Sequence, residues 1–144
     1  MRKFILIMAF ALAGTYGFSQ QLRPDQVPQN IKDHLQAKFP QTMEIPVEWS
    51  KEKSNYRASI TIMDSPAFMV LDSLGKTVRI ERKVHESYLP KKSKDKLMLI
   101  DPKYQVVSVM QITDNKEKIT YKAVIKFTSN FTFDTDGTTL SGVK

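Results

Sequence analysis

Residue types that commonly carry enzyme chemistry are scarce in this chain. It contains no cysteine, which excludes thiolate catalysis and cysteine ligands to a metal. Of its two histidines, His34 falls beside Ile31 and Leu35 in a helical pattern, where a packed or rim histidine is more common than a ligand. His85 falls in a linking segment, and neither histidine has the spacing of a metal site or a Ser-His-Asp triad. We therefore predict that the protein is not an enzyme and holds no metal or cofactor.

Two short acidic segments could carry chemistry of another kind. Residues 134–137 (Asp-Thr-Asp-Gly) resemble the start of a calcium loop, but residues 138–141 add no carboxylate, so a hairpin turn is the favoured interpretation. Residues 72–74 (Asp-Ser-Leu) fit an Asp-hydroxyl-apolar pattern that resembles O-glycan acceptors of some Gram-negative envelopes. A pattern of three residues is common by chance, so a plain turn also fits the second segment.

The net charge of +7 comes from basic side chains that are interleaved with acidic ones. This pattern is typical of a solvated surface. Alternatively, the basic side chains bind a polyanionic partner, such as an acidic protein face or an anionic envelope glycan. A group of lysines on the exposed side of a predicted second helix forms a candidate docking strip. Its members are Lys91, Lys92, Lys94 and Lys96.

The first 19 residues have the layout of a secretory signal peptide. Arg2 and Lys3 precede an apolar run over residues 4–13, and Gly17 and Ser19 stand at the −3 and −1 positions of a cut before Gln20. The run is about half of the roughly 20 apolar residues that span a bilayer. We predict a signal peptide over residues 1–19 and a single domain over residues 20–144. The domain would be periplasmic or secreted, without a membrane anchor after cleavage and without a nucleic-acid partner.

Several landmarks recur at one constant interval along the chain, which predicts an internal duplication. Val27 and Pro28 recur as Leu89 and Pro90, and the Asp-x-x-Gly of residues 72–75 recurs at residues 134–137. We predict two repeats, the first over about residues 25–85 and the second over about residues 87–142.

Each repeat predicts a helix followed by antiparallel strands. Ile31, Leu35 and Phe39 share one helical face, whereas Ser93 and Asp101 replace Ile31 and Phe39 in the second repeat. Alternation in the strands places apolar side chains on one face; these are Tyr56, Ala58, Ile60 and Ile62, matched by Tyr121, Ala123, Ile125 and Phe127. The predicted fold class is α+β, with two tandem helix-plus-antiparallel-strand repeats forming one antiparallel sheet with helices on one face.

The opposite strand face could stay open to a partner, because an antiparallel sheet can bury one face and leave the other in water. Its predicted side chains are the candidate partner-binding residues. They are Arg57, Ser59, Thr61, Lys122 and Lys126. Trp49 and Tyr56 fall in the apolar alternation, so we expect them in the core rather than in a recognition patch.

The order of these landmarks resembles a known group of proteins. The residues that carry it are Val27, Pro28, Phe39, Pro40, Glu48, Trp49, Tyr56, Leu71, Asp72, Gly75, Lys76, Leu89, Pro90, Tyr121 and residues 133–137. The pattern resembles the PepSY-like, beta-lactamase-inhibitor-like (BLIP-like) exported proteins of Gram-negative bacteria. The resemblance implies tandem α/β repeats in one sheet, a periplasmic or secreted location and no enzyme activity, and it transfers no site residue.

Two functions stay open at this point. The first is a non-catalytic exported binding module, inhibitor-like, that binds an envelope or extracellular protein through the open sheet face. The alternative is a binder of a small molecule or an anionic envelope glycan, which the lysines of the second helix favour.

Overall fold

The computed structural model of the chain describes residues 20–126 and 130–142. Within them, one antiparallel sheet has its strands in chain order, so that each strand pairs with the next. The helices are α1 (Gln29–Lys38) and α2 (Lys91–Ile100). The strands are β1 (Gln20–Leu22), β2 (Trp49–Glu52), β3 (Asn55–Ile62), β4 (Ser65–Leu71), β5 (Thr77–Val84), β6 (Val106–Asp114), β7 (Ile119–Ile125), β8 (Asn130–Asp134) and β9 (Thr139–Gly142).

Both helices begin directly after a proline, at Pro28 and Pro90. Proline suits this position because the first turn of a helix has no intrahelical partner for its backbone N–H groups. Each helix is followed by a cap residue whose N–H still donates to the helix, Phe39 to the Leu35 carbonyl and Asp101 to the Leu97 carbonyl. The two predicted helices are therefore present, separated by β2 to β5.

Two apolar clusters lie between the helices and the sheet. Ile31 and Leu35 of α1 pack on the first half of the sheet; the buried members of this cluster are Val27, Ile31, Leu35, Trp49, Ala58, Ile60, Ala67, Met69 and Leu71. Leu97 of α2 packs on the second half; the buried members of that cluster are Leu89, Leu97, Val109, Ala123, Ile125 and Phe133. Both clusters use the same face of the sheet, which confirms an α+β fold and places Trp49 in the core. Phe127, predicted for this face, lies outside the described residues.

Ser93 takes a core position that is apolar in the first helix. It is fully buried between Leu89 and Leu97, and its Oγ has no hydrogen-bond partner. A small residue is needed at this position because a turn approaches it closely. A Cβ added to Gly137 in that turn would lie 2.9 Å from the Ser93 backbone nitrogen and 3.1 Å from Ser93 Oγ. The second helix packs well because a small residue stands where the turn touches it.

The order of elements agrees with the predicted duplication without testing it. Each helix precedes four strands of the sheet, and β1 comes before α1. The duplication therefore stays a prediction. None of the helices in the described residues is long and apolar enough to cross a membrane.

Candidate functional site

The candidate site is the sheet face that points away from α1 and α2, which we call the open face. Strand register assigns its members, because directly paired residues of antiparallel strands point to the same side. Arg57 pairs with Val70 and Ser59 pairs with Phe68. The open face comprises Ser50 and Glu52 of β2, Arg57, Ser59 and Thr61 of β3, Pro66, Phe68 and Val70 of β4, Arg79, Glu81 and Lys83 of β5, Ser108, Met110, Ile112 and Asp114 of β6, and Thr120, Lys122 and Val124 of β7.

Four charged side chains form a continuous row across one half of this face, which we call the charge row. Arg57 Nη2 donates to Glu81 Oε2 over 2.9 Å, and Arg79 Nε donates to Glu81 Oε1 over 2.6 Å. Arg79 Nη2 also donates to both carboxylate oxygens of Glu52, at 2.7 and 2.8 Å. The row holds two positive and two negative charges, so the row itself is neutral rather than basic.

The charge row is partly withdrawn from solvent. Burial by itself would lower the pKa of Arg79, but its hydrogen bonds to Glu52 and Glu81 outweigh that effect and raise the pKa. Arg79 therefore stays charged, and the two carboxylates hold the guanidinium planes of Arg57 and Arg79 in place. The row acts as a set of fixed, oriented charges on the sheet surface.

An apolar floor lies beneath the charge row. The Arg57 guanidinium stacks on the Phe68 ring, with its central carbon 3.7 Å from the ring centroid. Val70 is fully buried although it faces away from both helices. Its two partners in register are Arg57 and Arg79, which flank it on the open face. Arg57 Nε is also buried and has no hydrogen-bond partner, so this arginine has one donor left unsatisfied.

The predicted partner-binding residues do not form a single cluster. Arg57, Ser59 and Thr61 lie together on β3, where Thr61 is exposed. Lys122 is exposed on β7, four strands along the sheet and offset by four residues along the strands, and therefore roughly 23 Å from Arg57 at the usual spacings. Lys126 follows the end of β7, and its backbone N–H donates to the Gln105 carbonyl.

Between the two groups, the open face carries half-buried apolar side chains. Met110 pairs with Lys122 and Ile112 pairs with Thr120. Sequence reasoning singled out neither these residues nor Glu52 and Glu81. The alternation in β5 could have identified Glu81, because Arg79 and Glu81 stand two residues apart and share a face.

Two hollows border these surfaces. A shallow one of about 210 Å³ lies on the open face, lined by Ser50, Arg57, Ser59 and Phe68 among others. A larger one of about 420 Å³ lies between α2 and the start of β6, with Lys94 in its lining. Its other lining residues are Glu86, Leu89, Tyr104, Gln105 and Val106.

The lysine strip of α2 is present on the helix surface. Lys91, Lys92 and Lys96 are exposed and Lys94 is half-buried. Lys96 Nζ donates to Thr139 Oγ1 over 3.2 Å, which ties the helix to the last strand. The described part of the chain contains no group of three or more His, Cys, Asp or Glu side chains that could hold a metal ion.

Comparison with known proteins shows that solved structures share this fold. No protein-family model and no curated protein matches the chain. A DUF2874 family protein from Bacteroides uniformis superimposes with a TM-score of 0.71 at 14% identity, over 81% of this chain and 88% of that one. A BLIP-like protein from Bacteroides fragilis superimposes with a TM-score of 0.65 at 16% identity, over 85% of this chain and 86% of that one. The chain has the fold of these proteins.

A third structure agrees with the first two. A protein of Bacteroides eggerthii, described as periplasmic, gives a TM-score of 0.71 at 12% identity over 81% of this chain and 88% of that one. These neighbours support the BLIP-like half of the sequence resemblance at the level of fold. They give no support to the PepSY-like half.

Proposed function

We propose that the chain is an exported, non-catalytic binding module that holds a protein partner on its open face. The observation that carries this proposal is the makeup of that face: an apolar floor of Phe68, Val70 and Ile112 crossed by oriented arginines. Aromatic and arginine side chains are enriched at the centres of protein interfaces, and fixed charges determine the register of a partner. The fold shared with a BLIP-like protein supports the proposal.

The dimensions of the face fit one partner. An interface of standard size covers about 800 Å² on each side, which is a patch roughly 28 Å across. Arg57 and Lys122 lie four strands apart and are offset by four residues along the strands, so they are roughly 23 Å apart and both fall within such a patch. In this arrangement Phe68 and Arg57 anchor the partner, and Ser59 and Thr61 donate and accept hydrogen bonds at the rim. Lys122 and Lys126 contact its far end.

The proposal includes a periplasmic or secreted location and a duplicated origin. The predicted signal peptide and a structural neighbour described as periplasmic support the location. The duplication is supported by a repeated burial pattern. Val27, Ile31 and Leu35 are buried at a spacing of four residues, and Leu89, Ser93 and Leu97 are buried at the same spacing in the second repeat. N-terminal mass analysis of the exported protein should find Gln20 as the first residue, and retention of residues 1–19 would contradict the location.

Site-specific crosslinking tests the binding face. A photoreactive amino acid replaces Thr61, which is exposed on the open face, and in a matched variant replaces Leu99, which is 85% exposed on α2. In cells that make the protein, we expect a discrete crosslinked protein adduct from position 61 and none from position 99. Adducts from position 99 alone would overturn the proposal.

Charge reversal then tests the residues of the face. The triple variant Arg57→Glu, Lys122→Glu and Lys126→Glu should lose at least tenfold in affinity for the crosslinked partner. The triple variant Lys91→Glu, Lys92→Glu and Lys96→Glu changes as many charges on α2 and should bind normally. Because Arg57→Glu also breaks the ion pair with Glu81, the double variant Lys122→Glu and Lys126→Glu provides a second measurement with the charge row intact.

An anionic glycan or small molecule bound at α2 is the second candidate function. Three exposed lysines on α2 favour it, together with a hollow of about 420 Å³ that Lys94 of the same helix helps to line. A thermal-shift screen with anionic glycans would show a raised melting temperature that falls with added salt, because salt screens exposed charges. The α2 triple variant should abolish this shift, and a shift that persists in that variant would exclude this site.

A further inference from the structure

Three hairpins of the sheet end in turns of the same geometry. They are the turns between β4 and β5, between β6 and β7, and between β8 and β9, which begin at Asp72, Asp114 and Asp134. In each turn the aspartate N–H donates to the carbonyl of the residue four positions on, at 2.9, 3.0 and 2.8 Å. The N–H of the residue three positions on donates back to the aspartate carbonyl, at 3.0, 3.1 and 2.9 Å. Each turn therefore presents two tip residues in an equivalent way.

The tips differ in their side chains. The first turn carries Ser73 and Leu74, where the other two carry Asn115 and Lys116, and Thr135 and Asp136. All six are exposed, and Leu74 is 68% exposed. Turn tips are ordinarily polar, and a single exposed leucine needs no special explanation. The distinguishing feature is the combination of an exposed hydroxyl with a preceding aspartate and a following apolar side chain.

The backbone of the first turn, which carries the Ser73 hydroxyl, is held in place by hydrogen bonds within the turn. Asp72 Oδ1 accepts hydrogen bonds from the backbone N–H groups of Leu74 and Lys76, both at 2.9 Å. Gly75 is buried against His34, where an added Cβ would lie 2.3 Å from His34 Cδ2. The Ser73 side chain is exposed at the tip, so an enzyme could reach it without unfolding the hairpin.

We propose that Ser73 is the acceptor of an O-linked glycan that is attached after export. The donor class is a glycan carried on a lipid diphosphate. Ser73 Oγ attacks the anomeric carbon, a new C–O bond forms, and the bond between that carbon and the diphosphate oxygen breaks. The hydroxyl proton passes to a base of the transferase and the lipid diphosphate leaves. The proposal depends on export but not on the open face, so the two can fail separately.

Intact-protein and peptide mass spectrometry of the exported protein, purified from the organism that encodes it, tests the site. We expect a glycan mass on the peptide that contains Ser73, and its complete loss in Ser73→Ala. Leu74→Asp reproduces the tip of the third turn and should also abolish the modification although the hydroxyl remains. An unmodified Ser73 in protein that has lost residues 1–19 would overturn the proposal, and so would full modification of Leu74→Asp.

The third turn supplies a gain-of-function test within the same molecule. Thr135 already has an exposed hydroxyl after an aspartate, and only Asp136 departs from the triplet. We expect Asp136→Leu to carry a second glycan on Thr135 and the unaltered protein to carry none there. Lys116→Leu is the matched control, because Asn115 provides no hydroxyl. Equal melting temperatures of unglycosylated variants made without residues 1–19 would show that each turn still folds. Absence of glycan from Thr135 in a folded Asp136→Leu variant would then contradict the inference that the aspartate, the hydroxyl and the following apolar side chain together mark the acceptor.

Discussion

The charged residues in the charge row of the open face are held in place by contacts with neighbouring side chains. Arg57 was predicted as a partner-binding residue on the open strand face. In the folded chain it pairs with Glu81, stacks on Phe68 and lies opposite Val70. A side chain held in this way loses little conformational freedom when a partner binds, which favours affinity. The charge row is therefore a preorganised part of the open face.

Glu81 should contribute more to stability than Glu52 does. Its side chain is 14% exposed and accepts from both arginines, whereas the Glu52 side chain is 37% exposed and accepts from Arg79 alone. We expect Glu81→Gln to lower the free energy of unfolding by about 1–3 kcal/mol, because two half-buried guanidinium groups lose their shared carboxylate. Glu52→Gln should lower it by less than about 1 kcal/mol. Urea denaturation measures both, and equal losses would contradict this ranking.

At the scale of elements, the aspartate turns dock onto the helices through glycine. Gly75 and Gly137 both have φ of +84°, a conformation in which an L side chain is strained. Gly75 lies against the side chain of His34, and Gly137 lies against the backbone and Cβ atoms at the start of α2. These two contacts join the far end of each hairpin to the helix that covers it.

Substitution of the two glycines should have unequal effects. We expect Gly75→Ala to lower the free energy of unfolding by about 1–3 kcal/mol, from backbone strain. The exposed His34 ring can move aside. Gly137→Ala should lower it further, because the added Cβ would lie 2.6 Å from Lys92 Cβ and 2.9 Å from the Ser93 nitrogen, which cannot move without shifting α2. Thermal unfolding measures both variants, and a larger loss for Gly75→Ala would refute this account of the contacts.

The last turn should be sensitive to acid. Hydrogen bonds from Thr135, with a contribution from Lys118, lower the pKa of Asp134 below 3.8. Hydrogen bonds from Thr138 lower the pKa of Asp136 in the same way. A depressed pKa stabilises the folded state above the unfolded pKa, and this stabilisation is lost as the pH falls through the folded pKa. NMR titration should give midpoints below 3.8 for both carboxyl groups, and ordinary midpoints would contradict the turn geometry.

At the scale of the whole molecule, one continuous sheet joins two separate apolar clusters. The junction is the pairing of β5 with β6, which runs from Arg79 opposite Asp114 to Val84 opposite Val109. Because backbone hydrogen bonds join β5 to β6, the strands beneath the two clusters belong to one sheet. We expect the domain to unfold in a single cooperative transition.

Core truncations in the two halves test this cooperativity. Leu35 and Leu97 are equivalent fully buried leucines of α1 and α2. Leu35→Ala and Leu97→Ala should each lower the free energy of unfolding by about 2–5 kcal/mol. Each should shift one transition of the entire domain, measured by calorimetry and by Trp49 fluorescence together. A variant of Leu97 that leaves the Trp49 signal unchanged would show that the halves unfold independently.

The sequence alone was sufficient for the helices, for the strands β3 and β7 and for the apolar face, because periodicity and proline positions are local signals. Pro28 and Pro90 indicated where the helices begin, and the alternation from Tyr56 to Ile62 identified the buried face of β3. β1 was missed, since the three residues Gln20–Leu22 carry no period and form a strand only by pairing with β2. The signal-peptide and Phe127 predictions concern residues outside those described.

The candidate site was predictable only in part, for a physical reason. Alternation correctly assigned Arg57, Ser59, Thr61 and Lys122 to one face, because each strand by itself dictates which side chains share a side. Tertiary structure alone determined which charges meet across strands: the pairing of Arg57 with Glu81 and of Arg79 with Glu52 joins residues more than 20 positions apart. Likewise, only the packed turn at Gly137 accounts for a serine in the core of α2. Local patterns determine the face of a residue, and strand register determines its neighbours.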